Sequence, residues 1–453
     1  MVALGAAGCS DDSHSRPGVT SSQTALKPVA VEVQEAVARV WPDAPQIWPG
    51  TVLKDRRIIL GDRGRARLIS VDGVTDLSPG ELAKKKIAIP HSGSSYVTWD
   101  GHPAVVMNVA DPSYRSDAEI AGQSLSTTLF SAATDELYHA TEQKWKVLKK
   151  GSEQRGTEYP LAVTPRLYRA MLYNDLVAAY RDSRQRNRWL AGAAYWRSKW
   201  QKEFPDEAKR ATALDIGEGA AGYFDAVATA MASGAARGDQ AEIRKRSQFR
   251  PLDQALDPGQ VTLDGESTSL GGIAGLLLDE TRKGWKPEIT RTRQTPVDLL
   301  LAGVTPQAEP PSDALRRSIQ DILSKLNTDL IPRLNPLVSA YHDKARPLLL
   351  IPMSASEGDL DAGGYYVAHG VPYAILARLN GTFRLSSGTI EAKEASVLAG
   401  LVGGHPYLIV PIGASGDKSK VASNRVQLSS GTLTGSSQVA AHRTDGREEY
   451  IAR

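Results

Sequence analysis

The feature that most constrains this chain is a double change of hydrophobic period. Arg57-Ile-Ile-Leu60 and Ala66-Arg-Leu-Ile-Ser-Val71 flank the turn-rich Gly61-Asp-Arg-Gly64, while Tyr96-Val-Thr-Trp99 and Ala104-Val-Val-Met107 flank Asp100-Gly101. Both pairs read as hairpins. From about residue 116 to residue 303 the period becomes helical, and after Pro347 it returns to strands at 348–351, 373–377 and 407–410. The expected fold is therefore α+β: a small N-terminal β-sheet, a mainly helical body and a C-terminal β module. With 453 residues, 41% of them hydrophobic, the chain can bury a core in two or three structural units.

Punctuation within these blocks sharpens the expectation. A short helical pattern over 28–45 carries Val31, Val33, Val37 and Val40 and stops at Trp41-Pro42-Asp43. Residues 116–150 read as one long helix broken by Gly151, and 165–204 place Leu167, Met171, Leu172, Leu176 and Val177 at helical spacing. Pro205-Asp206 opens a further helix reaching about residue 233. Its interior holds Gly217, Gly219 and Gly222, each costing about 1 kcal/mol relative to alanine, so something must approach that helix closely. Thr295-Pro296 reads as an N-cap and first helical residue. Residues 306–313 read as a linker and 314–330 as an amphipathic helix. Leu385-Ser-Ser-Gly-Thr-Ile390 returns as Leu428-Ser-Ser-Gly-Thr-Leu433, which fits two similar strand-turn units.

The N-terminus bears on compartment. Met1-Val-Ala-Leu-Gly-Ala-Ala-Gly-Cys9 sets small residues before the only cysteine, and a Ser-, Thr-, Asp- and Pro-rich stretch follows to residue 27. This resembles the lipobox and tether of a bacterial lipoprotein, which implies acylation of Cys9, a lipid anchor and a place in the cell envelope. Ala6 departs from the bulkier aliphatic residue of that motif, and a full signal sequence would extend upstream. The alternative is an ordinary frayed terminus with a chance cysteine. A single cysteine forms no internal disulfide. Net charge is only +3, with basic and acidic residues interspersed, which argues against a nucleic-acid partner. Lys84-Lys85-Lys86 reads as a solvated face.

The chemistry-bearing stretch is Thr134-Asp-Glu-Leu-Tyr-His-Ala-Thr-Glu-Gln-Lys-Trp145. On a helix, Asp135 and His139 share a face and Glu136 sits one step round. The downstream segment Asp215-Ile-Gly-Glu-Gly-Ala-Ala-Gly-Tyr-Phe-Asp225 supplies Glu218. Together these resemble the bacterial zincin-like metallopeptidases, many of them lipoproteins, in which a His-Glu-x-x-His helix is followed by a glutamate ligand helix. Leu270-Gly-Gly-Ile-Ala-Gly275 and Pro296-Val-Asp-Leu-Leu300 extend the resemblance, which covers about residues 95–302. It implies Asp135, His139 and Glu218 as metal positions, Glu136 as the base that activates water, and zinc as the cofactor. It also gives the glycines a reason, tight packing of the ligand helix on the motif helix. By this reading residues 1–27 are signal remnant and tether, 28–304 the metallopeptidase-type domain, 305–345 linker and helix, and 346–453 the β module.

Asp135 is the departure, an oxygen donor shorter in reach than histidine by roughly 2 Å where zinc demands bonds of about 2.0–2.2 Å. Three readings stay open. One is a degenerate site that binds peptide or protein at the cell surface with weak or no catalysis. Another is an active metal-dependent hydrolase using Asp135, His139 and Glu218. The last is an accidental Asp-Glu-x-x-His spacing. Without metal, Asp135, Glu136 and Glu218 would crowd one imidazole, raising a carboxyl pKa or drawing His139 into its protonated form. Trp189, Trp196 and Trp200 recur on one helix among Arg184, Arg186, Arg188, Arg197 and Lys199; core with basic flanks is favoured over a membrane-surface face. His91, His102, His369 and His405 form no ligand spacing. No nucleophile elbow, P-loop or dinucleotide fingerprint occurs. A two-lobed solute-binding protein would alternate strands and helices, and this chain does not.

Overall fold

The structure is a computed structural model that describes residues 26–62, 64–91, 93–142, 145, 148, 156–247, 263–357, 360–413, 418–444 and 446–453. Cys9, Gly151 and all but the end of the expected tether lie outside them. The chain folds as a small N-terminal sheet, a helical middle and a C-terminal β-rich part, an α+β protein. Two compact units emerge, one built from the described parts of 10–152 and 167–312, the other from those of 153–166 and 313–453. Among the described residues no helix is long and apolar enough to cross a membrane.

In the first unit, α1 (Leu26–Val40) buries Ala30, Val33, Val37 and Val40, three or four apart, and Trp41-Pro42-Asp43 tightens into a 3₁₀ turn before α2 (Ala44–Ile47). Next come β1 (Arg57–Asp62), β2 (Arg65–Ser70), β3 (Gly73–Leu77), α3 (Pro79–Lys84), β4 (Ser94–Trp99) and β5 (His102–Asn108). The sheet order is β3-β2-β1-β5-β4, antiparallel except for β1 and β5, which run parallel with Ile59 opposite Val106. Both expected hairpins form. Between β4 and β5 the turn residues Asp100 and Gly101 take φ of 48° and 83°, as a two-residue primed turn needs. The central strands are buried on both faces, which is why Ile58-Ile-Leu60 and Ala104-Val-Val-Met107 are unbroken apolar runs.

Residues 116–150 do not form one helix. The chain forms α4 (Pro112–Ala121) and α5 (Leu125–Leu137), separated by Gly122, whose φ of 62° ends α4 in a left-handed cap. Ser124 restarts the helix by accepting from the Thr127 amide at 3.1 Å. Past Leu137 the backbone widens into a π-turn, Tyr138–Glu142. The helical stretch 165–204 is likewise divided, into α6 (Val163–Arg181), of which Leu167 onward belongs to this unit, and α7 (Arg186–Glu203). Asp182 makes the break by accepting from the Arg184 and Gln185 amides. α8 (Pro205–Ala232), α9 (Gln240–Arg246), α10 (Leu263–Thr281), α11 (Trp285–Arg291) and α12 (Pro296–Leu300) complete the unit, the last capped reciprocally by Thr295 and Asp298.

Two of the three α8 glycines, Gly219 and Gly222, serve a different neighbour from the one expected. A Cβ on Gly271 of α10 would stand 2.0 Å from the Gly219 Cα, and one on Gly222 would stand 2.3 Å from the Thr268 carbonyl oxygen. It is therefore α10, not the motif helix α5, that these residues admit. Nearby, Arg169 and Arg197 are buried and share the Asp215 carboxylate at 2.7 and 3.1 Å; Arg169 also reaches Glu266 and Arg197 reaches Asp298. The Trp200 ring centre lies 4.6 and 5.0 Å from the two guanidinium groups, within cation–π distance of each. Trp196 and Trp200 are core residues, and Arg197 is part of that core rather than a solvated flank. Residues 306–312 carry no helix or strand yet are fastened to this unit: the Gln307 amide donates to the Ala191 carbonyl and the Trp196 indole donates to Glu309.

The second unit contains β6 (Thr157–Tyr159) and α13 (Asp313–His342), which runs twelve residues beyond the expected end at Leu330, through Pro332 and Pro336. Its strands continue as β7 (Leu348–Pro352), β8 (Asp361–Ala368), β9 (Ala374–Leu385), β10 (Gly388–Val402), β11 (His405–Pro411), β12 (Lys420–Ala422), β13 (Arg425–Ser429), β14 (Leu433–Thr444) and β15 (Arg447–Ala452). The order is β12-β13-β14-β15-β7-β11-β10-β9-β8-β6, and β14 pairs again with β10. Strands β10, β11, β7, β15 and β14 therefore form a closed ring around Leu349, Ile351, Val397, Leu408 and Val439. Gly435 permits the closing seam, since a Cβ there would lie 2.1 Å from the Thr389 carbonyl oxygen. The two similar hexapeptides are both hairpin connections, β9 to β10 and β13 to β14. The buried Arg447 donates to the carbonyls of Tyr341, Arg346 and Ala340, satisfying the end of α13.

Candidate functional site

Helix α5 presents Leu129, Phe130, Ala133 and Leu137 to the core, which fixes its rotation and turns Ser131 and Asp135 toward α8. The crossing is pinned at two points. Ser131 Oγ donates to Asp225 Oδ1 at 2.7 Å, and the Tyr138 ring stacks on Phe224 with centroids 4.6 Å apart. Glu218 and Asp225 are seven apart on α8 and therefore share a face. The π-turn that begins at Tyr138 carries His139, and such turns recur at functional positions.

Three of the four candidate residues come together here. His139 Nε2 lies 3.3 Å from Glu218 Oε2 and 3.6 Å from Asp135 Oδ2. Side-chain exposure grades from 10% at Glu218 through 20% at His139 to 31% at Asp135, so Glu218 is the floor of the cluster and Asp135 its mouth. Glu136, whose charge still acts on Asp135 and His139, is engaged by a strand residue. The Tyr96 hydroxyl of β4 donates both to its backbone carbonyl, at 2.7 Å, and to its carboxylate. The base expected between the two ligand positions is thus held at the sheet.

Electrostatics follow from the crowding. Burial, together with the Asp225, Glu218 and Glu136 charges, pushes the Asp135 carboxyl up to about 7 against the opposing pull of His139. Burial also pushes Asp225 up, offset in part by the Ser131 and Thr229 hydroxyls. For His139, burial pulls the imidazole down, but Glu218 and then Asp135 outweigh it and the net direction is up. At neutral pH the cluster is an imidazolium paired with Glu218, beside the Asp135 carboxyl, which is partly protonated there. Such a set can donate to a carbonyl and accept from an amide N–H.

The fit to zinc is partial. Donors around a tetrahedral ion with bonds near 2.1 Å stand about 3.4 Å apart, and both separations from Nε2 lie near that value. Among the described residues, however, no group of three or more His, Cys, Asp or Glu side chains is gathered so as to hold an ion. Ligation would also require the His139 imidazolium to release its proton. As arranged, the imidazole pairs with both carboxyl groups, which does not amount to a gathered ligand set.

Helical spacing pointed to Asp135 and His139, and the resemblance to zincin-like proteins to Glu218. Neither pointed to Asp225, although the seven-residue interval from Glu218 carried that signal, nor to Tyr96, for which a half-buried strand tyrosine offers none. Comparison with family models, curated proteins and solved structures finds no match to this chain.

Proposed function

We propose that the first unit is a metallopeptidase-like binding module whose imidazole–carboxylate cluster takes the place of a metal centre. In this reading the protein is a cell-envelope lipoprotein, anchored through acylated Cys9, that holds peptide or protein at the bacterial surface with weak or no catalysis. The observation that carries it is the 3.3 Å approach of His139 to Glu218 from helices remote in sequence. The backbone of an extended peptide offers alternating C=O and N–H groups, which suit a cluster combining the His139 and Asp135 donors with the acceptors of Glu218. Metal content after dialysis against a weak chelator tests this reading: the protein retains no stoichiometric zinc, and Asp135→His gains it. Failure of Asp135→His to gain zinc would falsify the kinship with zinc sites. An unmodified Cys9 thiol in mass spectra of the membrane-extracted protein removes the lipoprotein reading.

A second reading, an active hydrolase with Asp135, His139 and Glu218 as ligands and Glu136 as base, draws on the near-tetrahedral separations at Nε2. It requires a neutral His139 and release of Glu136 from Tyr96. Stoichiometric zinc in the native protein, lost in Glu218→Ala, would decide for it.

A further inference from the structure

We infer that the first unit carries a separate pocket for a small amphipathic anion, a ligand with an apolar body and one carboxylate or comparable head group. The pocket is a cavity of about 420 Å³ among α2, α8, α9 and the turn joining α10 to α11, within the size range of small-molecule sites. The inference does not depend on the peptide-binding reading of the His139 cluster.

The walls are apolar, formed by Ile47, Val227, Met231 and Ile243 with the rings of Tyr223 and Trp285. Those rings are held before any ligand arrives. Asp279 accepts from the Trp285 indole at 2.8 Å, from the Tyr223 hydroxyl and from Lys286 Nζ at 3.0 Å, and the Lys286 ammonium lies 4.7 Å from the Tyr223 ring centre. Such preorganisation lowers the entropy lost on binding.

The rim supplies the sign of the ligand. Arg237, Arg282, Lys283 and Lys286 line the cavity, against one carboxylate, Asp279. Arg237 pairs with Asp43, Arg282 with Glu288 and Lys286 with Asp279. Lys283 is exposed at the rim and, among the described residues, has no carboxylate partner. Among the described residues one positive charge is therefore left without a carboxylate partner beside an apolar recess. Gln240 on the wall adds a buried Oε1 that accepts no hydrogen bond. An alkyl or aryl body fills the recess while an anionic head meets Lys283 at the mouth.

Decanoate is the probe, titrated into the full-length protein by calorimetry with Trp fluorescence as a second readout. One equivalent binds; 1-decanol binds at least about tenfold more weakly; Lys283→Glu weakens decanoate by about tenfold, and Val227→Trp, which fills the recess, abolishes binding. Lys283 is exposed and, among the described residues, unpaired, so its replacement leaves the fold intact even where Val227→Trp does not. A diazirine-bearing decanoate then labels peptides containing residues 223–243 or 282–287. Absence of binding at millimolar decanoate, decanol binding as tightly, indifference to Lys283→Glu, or labelling confined to other peptides overturns the inference.

Discussion

Replacing Glu218 by glutamine keeps its shape and removes its charge, which isolates what holds the His139 imidazole in its cationic form. Burial alone pulls that imidazole down, and Glu218 is the largest influence opposing it. In Glu218→Gln the His139 pKa therefore falls, and NMR titration of its ring protons reads the shift. An unchanged value would mean that Asp135 alone sustains the charge. A second residue pair makes stability itself pH-dependent. Asp175, buried near Glu309, has its carboxyl pushed up to about 8, first by burial and then by the Glu309 charge and hydrogen bond. Its folded pKa exceeds its unfolded value near 4, so the stabilisation is fully present below about pH 4 and is lost as pH rises through about 8. Asp175→Asn supplies a permanent donor, and urea unfolding of that variant shows a flatter stability profile between pH 4 and 8. The first pairing is foreseen through the resemblance that supplies Glu218; the second is not. The Asp135–His139 spacing follows from helical periodicity, but Glu309 lies in a proline-rich stretch that reads only as a linker, and nothing local places it near Asp175.

Among the elements, the α8–α10 contact leaves no room for a side chain. Backbone meets backbone at Gly219 and Gly271, so a methyl group has no flexible side chain to displace and the helices must part. Gly271→Ala lowers stability by an amount at or above the roughly 3 kcal/mol upper end of ordinary overpacking, measured by urea denaturation. A loss under about 1 kcal/mol would show that the helices separate freely. How much of each element was legible depended on whether its signal was local. The β4–β5 hairpin was, because Asp100-Gly101 has the backbone freedom its turn uses. The division of α4 from α5 was not, because Gly122 looks like any glycine until its φ is known. Strand β3 escaped because Gly73-Val-Thr-Asp-Leu77 exposes its middle and alternates weakly. Helix α13 outran its expected end because prolines at 332 and 336 usually stop a helix.

For the whole molecule, the informative fact is that the second unit is assembled from two separated pieces of chain. β6 pairs in parallel with β8, Thr157 opposite Tyr366, and the segment is fastened to α13 where the Asn327 side chain both donates to the Leu161 carbonyl and accepts from its amide, each at 3.0 Å. Tyr159 adds a hydroxyl bond to Asn335 at 2.7 Å. A fragment of residues 313–453 leaves those asparagines unsatisfied and bares the edge of β8, so it self-associates and melts below the intact unit. Adding a peptide of residues 153–166 restores the monomer, as read by analytical ultracentrifugation; a fragment that is monomeric and equally stable alone would show the edge to be dispensable. The broad α+β architecture was readable from the changes in period, but this interleaving was not, since three residues carry no periodicity. It also imposes a timetable on synthesis. At about 5–20 residues per second, β6 emerges on the order of 10–40 s before the strand it joins, and throughout that interval a nascent chain must keep a short adhesive segment from finding some other companion.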